Sequence, residues 1–404
     1  MADTIYILDA LVTGSATVMI TDDGIGSDTI RLEGLYSEVS TFTLAYSTDA
    51  GLPISASGTY YTPFDGGFTS HTLVITGVIE NVTGGDGRDF IQGNVLGNRL
   101  FGDKQASGPG LGDTLWGGGG NDTIHGGAGN DEILGDNDND LLSGGEGIDT
   151  ISGGGGVDTV EGGAGADVLS GGATAGDTLT YAASTAGVQI ALVFGDATFG
   201  IGGDAEGDRI TGFANITGST HDDRLEDAVK GTVAFGQNDN VFSGGGGRDR
   251  LILGGGNDTG LGGNGDDTLV GEVGDDLLDG GNNDDNLRGS RGQDTLTGGG
   301  GGDRFIFVST NDSTFAIAQR DTITDFSSAE GDHIDLALID AETGVAGNQA
   351  FHLVTQFTGD KGELRIKLDG ADVLVLADVN GDGAADFAIR VLGVTGLTAT
   401  DFTL

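Results

Sequence analysis

GGGGNDTIHGGAGNDEILGDNDNDLLSGGEGIDTISGGGGVDTVEGGAGADVLSGG, running from Gly117 to Gly172, states one nine-residue phrase six times without a break. The phrase is Gly-Gly-x-Gly-x-Asp-x-apolar-x. With repeat starts at 108, 117, 126, 135, 144, 153 and 162, the sixth position reads Asp113, Asp122, Asp131, Asp140, Asp149, Asp158 and Asp167. A second array starting at 244 gives Asp249, Asp258, Asp267, Asp276, Asp285, Asp294 and Asp303 in the same register. Position eight is apolar throughout, from Leu115 and Ile124 to Leu296 and Phe305, with Gly260 as the lapse. Self-similarity at a fixed short period predicts a solenoid.

One repeat cannot fold on its apolar residue. Burying a Leu or Ile stabilises by about 1.5–3 kcal/mol, well short of the backbone entropy of nine residues at about 1–2 kcal/mol each. Glycine loses the most freedom of all. Stacking the repeats also gathers carboxylates on the edges of the solenoid, where their repulsion opposes folding. A hard divalent cation with oxygen ligands removes that repulsion, and calcium suits a site mixing carboxylates with backbone carbonyls. The glycines are expected to give the turn φ > 0, so that its carbonyls point at the ion. Thiophilic metals are excluded by the absence of cysteine and the scarcity of histidine, five in all.

These residues resemble the RTX (haemolysin-type) nonapeptide family. The resemblance implies an all-β fold, a parallel β-roll in two arrays, in which each repeat contributes a calcium-binding turn and a short inward-facing strand. Two repeats complete one coil, so each ion lies between aspartates two repeats apart, such as Asp122 with Asp140. Turn carbonyls join them, which assigns Gly117, Gly126, Gly144, Gly153, Gly262, Gly271 and Gly280 to the metal sites alongside Asp89 and the aspartates above. On the order of a dozen calcium ions is implied, enough to cancel about half of a net charge of −46.

The chain divides by pattern. Residues 1–83 form a β-rich N-terminal cap, with alternating stretches at 17–20, 40–46 and 71–76. Residues 84–175 are the first roll, entered through GVIENVTGGDGRDFI (77–91); the repeat at 93–101 carries Asn98 in place of Asp and is read as a coil without its own ion. Residues 176–243 are an irregular solenoid spacer, in which GDTLTY (176–181), GDAEGD (203–208) and GSTHDDRL (218–225) keep the repeat vocabulary. Residues 244–307 are the second roll, and 308–404 a β cap. Both the entry stretch and the C-terminal region, with DTITDF (321–326) and GDHIDL (331–336), resemble the β-roll and secretion region of serralysin-type metalloproteases. DVNGDGAADF (378–387) opens like an EF-hand loop, which makes Asp378, Asn380 and Asp382 candidate ligands, but Ile389 stands where a closing Glu belongs. A tight turn between strands fits it as well.

No catalytic residue and no organic cofactor site is assigned. The zinc signature H-E-x-x-H-x-x-G-x-x-H cannot be built from His71, His125, His221, His333 and His352. A G-x-S-x-G elbow, a P-loop and a cysteine nucleophile are equally missing. His125 and Trp116, at position nine of their repeats, are read as surface or packing residues. The acidity makes nucleic acid and anionic membrane poor partners, and no stretch is apolar enough for a membrane helix.

The N-terminus lacks a basic region and carries Asp3 and Asp9, so it is not a cleaved signal peptide. The RTX resemblance implies instead a type I exporter reading an uncleaved C-terminal signal, for which LTATDFTL (397–404) is the candidate, and an extracellular destination. Met1 is read as the start of a complete chain. The expected function is a secreted calcium-binding structural or surface protein that folds on meeting extracellular calcium. Two alternatives stand beside it: an adhesin or module binding a surface glycan or protein, and the export and stability module of a serralysin-like hydrolase.

Overall fold

In the computed structural model the described residues are 88–103, 110–172, 174–193, 197–227, 239–344 and 346–404, with the course of the strands in the first 83 residues. The chain forms two compact units, Met1–Tyr181 with Gly195–Phe213, and Ala182–Phe194 with Ala214–Leu404.

The first unit is a parallel β-roll. Successive repeats send strands alternately to two sheets: Thr114–Gly118, Glu132–Asn137, Thr150–Gly155 and Val168–Gly172 lie in one, Thr123–Ala128, Leu141–Glu146 and Thr159–Ala164 in the other. Partners are 18 residues apart, as in Thr114 with Glu132 and Thr123 with Leu141. Two nine-residue phrases therefore make one coil. Both sheets run beyond the glycine-rich repeats. Arg88–Gln92 and Arg99–Phe101 precede them, while Arg209–Thr211 and Thr178–Thr180 follow. Ahead of the roll, Ser40–Ser47, Pro53–Tyr61 and Ser70–Val74 pair antiparallel, and the last lies parallel to Arg88–Gln92.

The second unit repeats the plan. One sheet runs through Val241–Gly246, Thr259–Asn264, Leu277–Asn282 and Thr295–Gly300 to Thr322–Ile323. The other runs from Gln189–Leu192 and Arg224–Asp227 through Arg250–Ile252, Thr268–Val273, Asn286–Arg291 and Arg304–Ile306 to His333–Asp335 and Phe402–Thr403. After the repeats the pairing turns antiparallel, with Asp372–Asp378 between Glu363–Asp369 and Phe387–Val391. The stretch 176–243, as far as it is described, thus supplies strands to the rolls of both units.

Burial alternates along each strand, as a period of two requires. Leu115, Ile133, Leu142, Val160, Leu269 and Leu287 are all fully buried, and so are the position-six aspartates within a few per cent. At Gly260 the missing side chain is replaced from within the same repeat. Leu253, which stands where a first-position glycine is expected, is fully buried. Its Cδ1 lies 3.0 Å from where a Gly260 Cβ would be.

Positive φ falls on the second and fourth positions of the turn, not on the first. Gly147 (φ 136°) is typical, and a Cβ there would also stand 1.5 Å from the Gly129 carbonyl oxygen one coil away. The expectation that the glycines give the turn φ > 0 therefore holds at those two positions, while the first-position glycines Gly117, Gly126, Gly144, Gly153, Gly262, Gly271 and Gly280 do not have it. They are glycines for lack of room.

Candidate metal centres: four ladders of buried aspartate

Each strand begins just after its aspartate, so stacking the strands at an 18-residue step stacks the aspartates too. In the first unit one row is Asp89, Asp113, Asp131, Asp149, Asp167 and Asp208. The backbone N–H of each donates to Oδ1 of the next at 2.7–2.8 Å. The opposite row is Asn98, Asp122, Asp140, Asp158 and Asp177, joined the same way at 2.7–2.9 Å. In the second unit, Asp223, Asp249, Asp267, Asp285, Asp303 and Asp332 form one row at 2.8–2.9 Å. Asn240, Asp258, Asp276, Asp294 and Asp321 form the other at 2.7–3.0 Å.

One carboxylate oxygen is thus spent on the backbone; the other is not. Oδ2 is buried without any hydrogen-bond partner at Asp113, Asp122, Asp131, Asp140, Asp149, Asp158, Asp167 and Asp177. The same holds at Asp249, Asp258, Asp267, Asp276, Asp285, Asp294, Asp303 and Asp321. An ionised oxygen buried without a partner is strongly unfavourable, and the proton affinities reflect it. Burial, then repulsion from Asp89, pushes the Asp113 carboxyl up to about 9. Burial pushes Asp249 and Asp285 to about 8, and Asp140 and Asp276 to about 7, with neighbouring aspartates adding repulsion.

The first-position glycines complete the arrangement. A Cβ on Gly117 would stand 2.2 Å from Oδ2 of Asp122 and 2.8 Å from the carbonyl oxygen of Gly135. The same pair of oxygens recurs at Gly126, with Asp131 Oδ2 at 2.2 Å and the Gly144 carbonyl at 2.7 Å, and at Gly280, with Asp285 Oδ2 at 2.4 Å and the Gly298 carbonyl at 2.7 Å. The volume a side chain would fill is flanked by a carboxylate oxygen and a backbone carbonyl from the next coil. Hard oxygens of these two kinds fit a calcium ion. Among the described residues no group of three or more His, Asp or Glu side chains converges, so carbonyls are an essential part of any such site.

All the position-six aspartates singled out in the sequence lie in these rows, with Asp89 at the head of one. Asn98 occupies a rung, its Oδ1 accepting the Asn94 N–H at 2.9 Å. Six rungs were not singled out: Asp177, Asp208, Asp223, Asn240, Asp321 and Asp332. The remaining signal of the aspartates among them is the tripeptide Asp-x-apolar, as in Asp177-Thr-Leu179 and Asp321-Thr-Ile323.

The loop after Asp378 connects the antiparallel strands Asp372–Asp378 and Phe387–Val391. Oδ1 and Oδ2 of Asp378 accept the N–H groups of Gly381 and Gly383, both at 2.7 Å. Asn380 and Asp382 accept from Asp382 and Ala384 at 2.8 and 2.9 Å, and Asp386 Oδ2 accepts from Val379 at 3.0 Å. These side chains are engaged by their own loop. His125 stacks on Phe101 with centroids 5.0 Å apart, and Trp116 meets Phe90 edge-on at 4.9 Å.

The RTX calcium-binding nonapeptide repeat family matches residues 76–95, 110–142, 143–175, 236–269, 254–287, 261–296 and 279–313. Two solution structures of subunits of a mannuronan C5-epimerase from Azotobacter vinelandii are similar to parts of the chain. One is 27% identical over 44% of this chain and 85% of that one, with a TM-score of 0.24. The other is 24% identical over 47% and 92%, with a TM-score of 0.22. No curated protein matches the chain.

Proposed function

We propose that this chain, an RTX calcium-binding repeat protein built as parallel β-rolls, is a secreted structural or surface protein that folds when it meets extracellular calcium. The ions are held along the four aspartate ladders by the unpaired Oδ2 oxygens and the first-position glycine carbonyls. Bound calcium supplies positive charge to carboxylates whose ionised form burial and mutual repulsion disfavour. The observation that carries the reading is the row of buried, partnerless Oδ2 atoms, which makes the coil self-repelling until a cation arrives.

The energetics favour such a switch. Where free calcium is about 100-fold above the dissociation constant, each independent site contributes about 2.7 kcal/mol, and several together exceed the stability of an ordinary domain. At low cytosolic calcium the repeats stay unfolded and can be threaded through an exporter. Among the described residues no helix is long and apolar enough to cross a membrane.

The test is circular dichroism of the full chain in chelator and in millimolar calcium. A mostly unstructured spectrum that converts to β on adding calcium is expected. The same folded spectrum in both conditions would remove the basis of the proposal.

A further inference from the structure

The ladders do not end where the glycine-rich repeats end, and their ends are not alike. Beyond the last repeat of the first unit, Asp177 is fully buried and its Oδ2 has no hydrogen-bond partner. Its Oδ1 accepts the Asp158 N–H at 2.9 Å, and its Oδ2 lies 2.7 Å from where a Gly171 Cβ would be, with the Gly212 carbonyl at 2.4 Å from the same point. In the second unit Asp321 is likewise fully buried with an unpaired Oδ2, and its Oδ1 accepts the Asp294 N–H at 3.0 Å. Both residues lie outside the stretches that match the repeat family.

Three ends, at Asp208, Asp223 and Asp332, are closed by protein donors. At Asp208, as buried as Asp177, the phenol of Tyr181 donates to Oδ2 at 2.8 Å. At Asp223 the Ser219 N–H reaches Oδ2 at 2.5 Å and its hydroxyl lies 3.0 and 3.1 Å from the two oxygens. At Asp332 the Ser327 N–H donates to Oδ2 at 2.7 Å. A donor in that place satisfies the oxygen that an ion would otherwise need to satisfy.

We infer that the calcium ladders extend past the repeats to Asp177 and Asp321, and stop at Asp208, Asp223 and Asp332 because Tyr181, Ser219 and Ser327 supply a hydrogen bond where the ion would sit. The inference rests on the reading of Oδ2 as a calcium ligand, and it adds which carboxylates are excluded. A buried Asp in the right register is then not enough for a site; the carboxylate must also lack a donor of its own.

The test counts bound calcium by equilibrium dialysis with elemental analysis, on the full chain at saturating calcium, for the wild type and for Asp140→Asn, Asp177→Asn, Asp321→Asn and Asp208→Asn. Circular dichroism confirms that each retains its β signal. Asp177→Asn and Asp321→Asn should each bind at least one ion fewer than the wild type, as Asp140→Asn does. Asp208→Asn should bind the wild-type number, since the amide can keep both the Asp167 and the Tyr181 hydrogen bonds.

Should an Asn variant lose its fold, Asp177→Glu and Asp321→Glu keep the charge while displacing it, and should lower affinity about tenfold at one site (about 1.4 kcal/mol). Unchanged calcium content and affinity in the 177 and 321 variants, or a lost ion in Asp208→Asn, overturns the inference. If the wild type binds no calcium, or Asp140→Asn changes nothing, the underlying site reading fails instead.

Discussion

At the scale of single residues, two glycines of one turn carry different constraints. Gly117 is small because Asp122 Oδ2 stands 2.2 Å from its missing Cβ. Gly119, two residues on, has only ordinary contacts, the nearest being Val95 Cα at 3.6 Å. Gly117→Ala should therefore displace the Asp122 carboxylate and weaken calcium binding at that rung about tenfold or more (about 1.4 kcal/mol). Gly119→Ala should leave the titration unchanged. Calorimetric calcium titration of the two variants reads the difference; equal effects would show that crowding at the carboxylate is not what the first glycine relieves.

The aspartates themselves were legible from the sequence because their spacing never varies within an array. Asp208 and Asp332 were not. Their rungs lie 41 and 29 residues from their predecessors, and only the folded chain returns them to register. Nor does any pattern of letters distinguish an Oδ2 that has a donor from one that has none.

At the scale of the strand, the repeat containing Leu253 and Gly260 shows how the roll tolerates a lapse in its apolar row. The Leu253 side chain, entering from position one, fills the space left at position eight, with Leu278 and Leu269 also close to where a Gly260 Cβ would stand. Leu253→Ala should destabilise the calcium-loaded second unit by about 2–5 kcal/mol, through lost burial and a cavity. Gly260→Leu alone should overpack it, costing about 1–3 kcal/mol. The double variant Leu253→Gly with Gly260→Leu restores the common pattern and should recover most of the loss, since residues in contact do not add independently. Thermal melts of the three variants in calcium decide; strict additivity would mean that the two positions do not share a cavity. The apolar position eight was readable in advance, and the two-repeats-per-coil register was implied by the RTX resemblance. This exchange was not, because the sequence shows a missing apolar residue and a missing glycine without showing that they meet.

At the scale of the whole molecule, the response to pH depends on whether calcium is present. In the ion-free coil burial raises many of the ladder carboxylates above their ordinary 3.8, to about 6 at Asp267, about 7 at Asp140 and about 9 at Asp113. A group whose folded-state value is raised stabilises the fold fully below its unfolded value, and that stability is lost as pH rises through the folded value. In chelator, acidification from pH 8 to pH 4 should therefore increase β-structure. The same acidification also removes part of the self-repulsion of a chain with a net charge of −46. In calcium the sign reverses, because the ion binds the ionised carboxylates and protons compete with it. Melting temperature should then fall over the same range. Parallel melts with and without calcium test this, and slopes of the same sign would contradict it.

The 18-residue step of the ladders also bears on transit through a narrow opening. A rung joins the N–H of one coil to the carboxylate of the next, as Asp122 does with Asp140. It can close only after both partners have emerged, which requires about 60 Å of extended chain. Once closed, the coil is a sandwich of two sheets about 10 Å apart, far wider than a single strand. On the proposed route of export, each completed coil would block backward slippage, so that folding on the calcium-rich side would act as a ratchet drawing the remaining chain outward one coil at a time.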